Sequence, residues 1–256
     1  MRADTLYLSL FFVLISGCAI APEKQREQRL DLINAARATL TSRDPCCVGF
    51  ENAKIHGLWP KTLSKVRMDE SSDIGVFGDQ RSYFVGLELP ADLPTRGLLI
   101  KEWYVVKPRD PHAPATILDS TYGPDSGYIL KPFVAFLDST HKLINEVSAP
   151  ICFDQGWDRD RTGFFASALA PEGAKFAILF TRPFDPDAGI SHQYSGGGGT
   201  VGFWYQYSGT MKMYFGPTGN MELGTVNGAQ IESLKGSRDK ECADVLKAWS
   251  YQFEKS

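Results

Sequence analysis

The sequence predicts a mainly β protein, an antiparallel β-sandwich with flanking N-terminal and C-terminal helices. Three observations lead there. Short apolar and aromatic runs recur through the centre of the chain, each stopped by Gly, Pro or a polar turn signal. No repeated strand–helix alternation occurs, which argues against a parallel sheet. Helical periodicity is confined to two segments, one near each end.

The first element is a leader. Leu6 to Ile15 is a ten-residue run, largely apolar, about 15 Å of helix at 1.5 Å per residue. That is half of the roughly 30 Å a hydrocarbon core requires, so the run reads as the apolar region of a cleaved signal peptide. Leu14-Ile15-Ser16-Gly17-Cys18 matches a bacterial lipoprotein box: small residues enter the peptidase cleft, and Cys18 offers the sulfur for lipidation. Two or three acyl chains on Cys18 would hold far better than one. Ala19 follows instead of Asp, so nothing favours retention at an inner membrane. The expected location is the periplasmic space, anchored by lipid to the outer membrane.

Residues 1–17 are thus the signal peptide and 18–45 an N-terminal tether and helix, with Leu30, Leu32, Ile33, Ala36 and Leu40 at helical spacing. That helix is either a spacer or docked on the domain, and Asp44-Pro45 ends it. Residues 46–225 form the sandwich. Strands are expected at Ser82–Leu89, Gly97–Lys107, Pro132–Leu137, Lys142–Val147, Thr162–Leu169, Ala174–Thr181 and Thr210–Phe215, with Phe203–Tyr207 a further candidate. The four glycines 196–199 read as a mobile loop, and Asp185-Pro186-Asp187 as a turn. Residues 226–256 hold the C-terminal helical segment, its helix expected over Asp239–Phe253.

Composition excludes several partners. Cleavage would leave 239 of the 256 residues with a formal charge of −3, so no electrostatic footprint for nucleic acid exists, and the lipid anchor is the expected link to the membrane. Beyond Cys18 four cysteines remain: Cys46, Cys47, Cys152 and Cys242. An even count in an oxidising compartment favours disulfides, so at least one long-range bridge is expected from the Cys46–Cys47 region to Cys152 or Cys242. Their spacing does not suit zinc, and no cofactor or metal site is expected.

One segment bears on catalysis. Ile55-His56-Gly57-Leu58-Trp59-Pro60 resembles the first active-site segment of T2-family ribonucleases, with a Cys-Cys pair upstream. Such a mechanism needs a second acid–base group, and none of His112, His141 and His192 stands in the register that family's second segment requires. Nucleophile-elbow and zinc-protease signatures are absent. The aspartates 154, 158 and 160 alternate with arginines and read as a solvated turn, not a calcium loop. No catalytic residue is therefore expected. For binding, Trp204 and Tyr205, with Trp103, are the candidates: rings beside hydroxyls or amides suit a sugar's apolar face and polar rim. Core packing is the competing use of the same rings.

The order of segments from about Cys46 to Leu223 resembles the MalM family, exported proteins of the maltose operon. The Cys-Cys pair comes first, then Arg81-Ser82-Tyr83-Phe84 running into Leu87-Glu88-Leu89-Pro90, the strand Leu98–Val106, Pro132-Phe133-Val134-Ala135-Phe136-Leu137-Asp138, and Lys175–Thr181 ending in Thr-Arg. A Gly-rich segment and a last strand complete the set, while Asp239–Ser256 and the HGLWP string depart from it. The resemblance implies a periplasmic protein of carbohydrate uptake with a β-sandwich and no catalytic residues. The expected partner is a carbohydrate or another envelope protein.

Overall fold

A computed structural model describes residues 22–91, 97–103, 127–149, 151–153, 163–200 and 203–225. Helix α1 covers Pro22–Ser42. Fifteen strands follow: β1 (Cys47–Val48), β2 (Gly57–Leu58), β3 (Ser64–Met68), β4 (Asp73–Phe77), β5 (Gln80–Glu88), β6 (Gly97–Trp103), β7 (Tyr128–Leu130), β8 (Phe133–Leu137), β9 (Leu143–Ser148), β10 (Ile151–Phe153), β11 (Gly163–Leu169), β12 (Phe176–Phe180), β13 (Gly189–Thr200), β14 (Phe203–Gly216) and β15 (Gly219–Thr225). The protein is mainly β, as the punctuation of the sequence predicts. The leader, the aspartates of 154–162 and the C-terminal helical segment lie outside the described residues.

A seven-stranded sheet runs β1-β4-β5-β12-β8-β9, with β2 also paired to β5; a five-stranded sheet runs β10-β11-β6-β15-β3; a three-stranded sheet runs β13-β14-β7. Most pairings are antiparallel, but β1 with β4, β2 with β5 and β14 with β7 are parallel. These parallel pairings leave no trace in the amino-acid pattern, because strands of two or three residues such as β1, β2 and β7 are too short to carry one.

The sandwich is visible in its core. Ile74, Tyr83, Leu87, Phe136 and Leu179 of the larger sheet share one buried cluster with Leu98, Ile100, Ala166, Met221 and Leu223 of the five-stranded sheet. On β6 the alternation of a strand puts Leu98, Ile100 and Glu102 on the inward face, and Glu102 is as buried as its apolar neighbours. A second cluster, with Phe77, Phe84, Phe180 and Cys47, lies on the other face of the larger sheet. Its rings stack or meet edge to face, Phe50 on Phe77 at 4.4 Å and Phe77 against Phe180 at 5.3 Å, the geometries aromatic quadrupoles favour.

Helix α1 is docked, not a free spacer. Ile33 and Ala36 are fully buried, and the Tyr83 hydroxyl donates to the Ala36 carbonyl at 2.8 Å. The same face buries Arg29, whose guanidinium sits 3.3 Å from the centroid of the Tyr214 ring and donates to Asp187 at 3.0 Å. Arg26 grips the same carboxylate through both oxygens, at 3.1 and 2.6 Å, and this pair holds the Asp187 carboxyl below its usual range. The turn at 185–187 is formed as expected, with the Asp187 amide donating to the Asp185 side chain. It also serves as the socket of the helix.

The four-glycine run corrects the expectation of a mobile loop. It lies within β13, paired residue for residue with β14: Gly196 faces Tyr207, Gly198 faces Tyr205 and Gly199 faces Trp204. Glycine is a poor strand former alone, and the ladder with β14 is what holds the run extended. The local composition therefore misled, because the partner that orders the run is another strand. At the base of this ribbon Gly216 is needed for space: a Cβ there would fall 1.8 Å from the Tyr128 ring.

Candidate functional site

The HGLWP segment and the cysteine pair converge at one corner of the larger sheet. Residues 49–56 leave β1, turn through a short 3₁₀ helix at Phe50–Asn52, and enter β2 beside β5. Gly86 allows the close approach, since a Cβ there would lie 2.2 Å from the Lys54 carbonyl oxygen. The His56 amide then donates to the Gly86 carbonyl at 2.9 Å.

This brings His56 Nε2 to 2.6 Å from Asp73 Oδ2, with Lys54 Nζ 3.8 Å from the other oxygen. Asp73 is one-quarter exposed and His56 about half exposed (23% and 54%), so the couple faces water. A carboxylate bonded to one ring nitrogen fixes the orientation of an imidazole. Leu58 is exposed at 65% while Trp59 is buried at 1%. Trp59 bridges the sheets: its amide donates to Glu88 at 2.7 Å and its indole Nε1 to the Gly224 carbonyl at 2.7 Å. Four of the five residues of HGLWP thus fasten the segment to the sandwich, Gly57 and Leu58 through the β2–β5 pairing.

Cys46 is exposed and Cys47 buried, and both are free thiols. The Cys47 thiol is pushed up to about 12, first by burial, then by its hydrogen bond with Cys46, with the charge of Asp73 adding. A thiol so protonated is a poor nucleophile. The expected long-range bridge from this pair is not formed. Cys47 points into the cluster of Phe77 and Phe84, and β1 edges the larger sheet, whereas Cys152 lies in β10 at the edge of the five-stranded sheet. Cys242 and Cys18 lie outside the described residues. We therefore expect Cys46 and Cys47 both to be alkylated without reductant, Cys46 in the folded protein and Cys47 at least tenfold more slowly. Differential alkylation read by mass spectrometry checks this, and protection of both until a reductant is added would contradict it.

The other site candidates are dispersed. Trp103 ends β6, opposite Gly163 and Asn220, while Trp204 and Tyr205 stand in β14 on a different sheet. His141, at a positive φ of 64° in the β8–β9 turn, lies 4.4 Å from the Phe176 ring. His192 is in β13 and His112 is outside the described residues. Among the described residues no group of three or more His, Cys, Asp or Glu side chains could hold a metal ion, and no helix is long and apolar enough to cross a membrane. Sequence reasoning passed over Glu102, although its place at the third inward position of β6 is legible from the Leu98–Ile100 alternation. Comparison of the chain with known protein families, with curated proteins and with solved structures finds no match.

Proposed function

We propose that the chain is an exported, lipid-anchored, non-catalytic protein of the bacterial envelope that acts by contact, as an accessory to carbohydrate uptake. The observation that carries this is the spacing of its N-terminal parts. Cys18 closes the lipoprotein box, and Pro22 opens a helix that Arg26 and Arg29 clamp to Asp187. Four residues span at most about 14 Å, so an acyl group on Cys18 would hold the sandwich against the membrane surface. A contact role also agrees with the Cys47 thiol being held protonated. The carbohydrate side rests on the order of segments resembling the MalM family, with Trp103, Trp204 and Tyr205 the rings a sugar could stack on.

Radiolabelled palmitate tests the anchor. The wild-type protein should incorporate label and sediment with membranes, and Cys18→Ala should lose both. Label persisting in Cys18→Ala would sink the anchor. Tryptophan emission titrated with maltose and maltodextrins tests the sugar, and an unchanged spectrum at millimolar ligand would leave an envelope interaction protein without sugar binding.

A further inference from the structure

Strand alternation turns Leu98, Ile100 and Glu102 of β6 toward the core and Gly97, Leu99 and Lys101 the other way. In the register Leu99 stands between Ser167 of β11 and Gly224 of β15, so these three form a row across the outward face of the five-stranded sheet. Elsewhere that face is solvated as an outer surface should be: Lys65 and Arg67 of β3 and Asn220 of β15 are exposed. The row is not. Leu99 is only 5% exposed and Ser167 2%, and Gly224 is buried with them. Ser167 Oγ also has no hydrogen-bond partner among the described residues. Leu63 covers one end of the row, its backbone nitrogen 3.2 Å from where a Cβ on Gly224 would sit. Ser167 stands two strands further on, about 10 Å away, beyond the reach of a leucine side chain.

We propose that the C-terminal segment docks on this row as a third layer, the helix expected over 239–253 laying its apolar stripe on Leu99 and Ser167. The point where β15 ends argues for this occupant. It finishes at Thr225, next to Gly224 and opposite Leu98, so residues 226–256 leave the sheet at the end where the row lies. Cys242, Val245, Leu246, Trp249 and Phe253 recur at i, i+3, i+4, i+7 and i+11, one stripe of a helix. Such a stripe needs an apolar partner, and a sheet face supplies one. A helix over 239–253 would be about 22 Å long, and five strands measure about 19 Å across. Gly224 without a side chain and Ser167 with a small one flank Leu99, so a helix can settle closely there. Its polar atoms then come within reach of Ser167 Oγ. The other internal stretches suit the row less: 104–126 holds four prolines, and 154–162 holds three aspartates and two arginines. This docking is independent of the anchor and of any sugar.

The test uses the full chain with Cys18→Ala, so that it is handled without lipid. A lysine-reactive cross-linker should join Lys65 or Lys101 of the outward face to Lys240 or Lys247 within one chain. Amides of 242–253 should exchange hydrogen at least tenfold more slowly than in the isolated peptide. Ser167→Cys then reports on the row. Maleimide should label the thiol at 167 slowly in that parent, and at least tenfold faster once Leu246→Asp and Trp249→Asp spoil the stripe. Cys47, in the cluster on the far face of the larger sheet, should stay slow in both, which separates undocking from unfolding. If both thiols speed up together, the variant has unfolded, and the cross-links and exchange of the parent decide. The proposal is overturned if 239–253 exchanges as fast as the free peptide, or if labelling at 167 ignores the two aspartates. It is equally overturned if the cross-links form only between two chains, since a second copy then covers the row.

Discussion

Trp59→Ala is expected to destabilise the protein by about 3–5 kcal/mol, the range for truncating a large buried aromatic. The indole is 1% exposed and packs in the cluster shared by both sheets. Its Nε1–H also reaches the Gly224 carbonyl on β15 while its own amide is held by Glu88 on β5. Truncation therefore opens a cavity between the layers and leaves a buried carbonyl short of a partner. Trp59→Phe separates the two contributions, since it keeps most of the apolar volume and removes only the donor. A loss of about 1–2 kcal/mol is expected for that change. Urea unfolding followed by circular dichroism measures both. Equal midpoints for wild type and Trp59→Ala would mean that the two sheets are not joined through this side chain.

The same residue shows what a sequence can and cannot disclose. HGLWP was visible as a motif, but the partners that give its residues their tasks are Asp73 and Gly224, and Gly224 lies 165 positions away. No local signal points to either. Strands bounded by proline were legible: β5 is followed by Pro90 and β8 begins just after Pro132, because proline cannot donate to a ladder. Strand β13 was not legible, since four glycines have no propensity of their own and their order comes from pairing with β14. The docked face of α1 was half legible. Ile33 and Ala36 follow the apolar period, but Arg29 is buried with them only because Asp187 and Tyr214, from a turn and a strand far along the chain, meet it. The cysteine pair failed for a related reason: an even count suggested a bridge, and the sheets place Cys47 and Cys152 on separate layers.

Glu102→Met should stabilise the protein, and the gain should grow with pH. The side chain is 1% exposed in the face that β6 turns toward the core, and among the described residues neither carboxyl oxygen has a hydrogen-bond partner. Phe164 and Met221 stand opposite it in the register. Burial alone drives the carboxyl well above its ordinary 4.5, so the folded state holds the proton that the unfolded chain releases. Below pH 4.5 both states are protonated and Glu102 adds no slope. Above it the native state binds more protons than the unfolded one, and stability falls by about 1.4 kcal/mol per pH unit until the raised pKa is passed. Methionine fills a similar volume with no polar atom to satisfy, which alone is worth about 1–3 kcal/mol. The difference in unfolding free energy between Glu102→Met and wild type should therefore be nearly constant at acid pH and widen steadily from about pH 5 upward. Denaturant titrations at a series of pH values give that difference directly. Parallel curves from acid to alkaline pH would mean that Glu102 ionises in the folded protein with a partner to receive its charge.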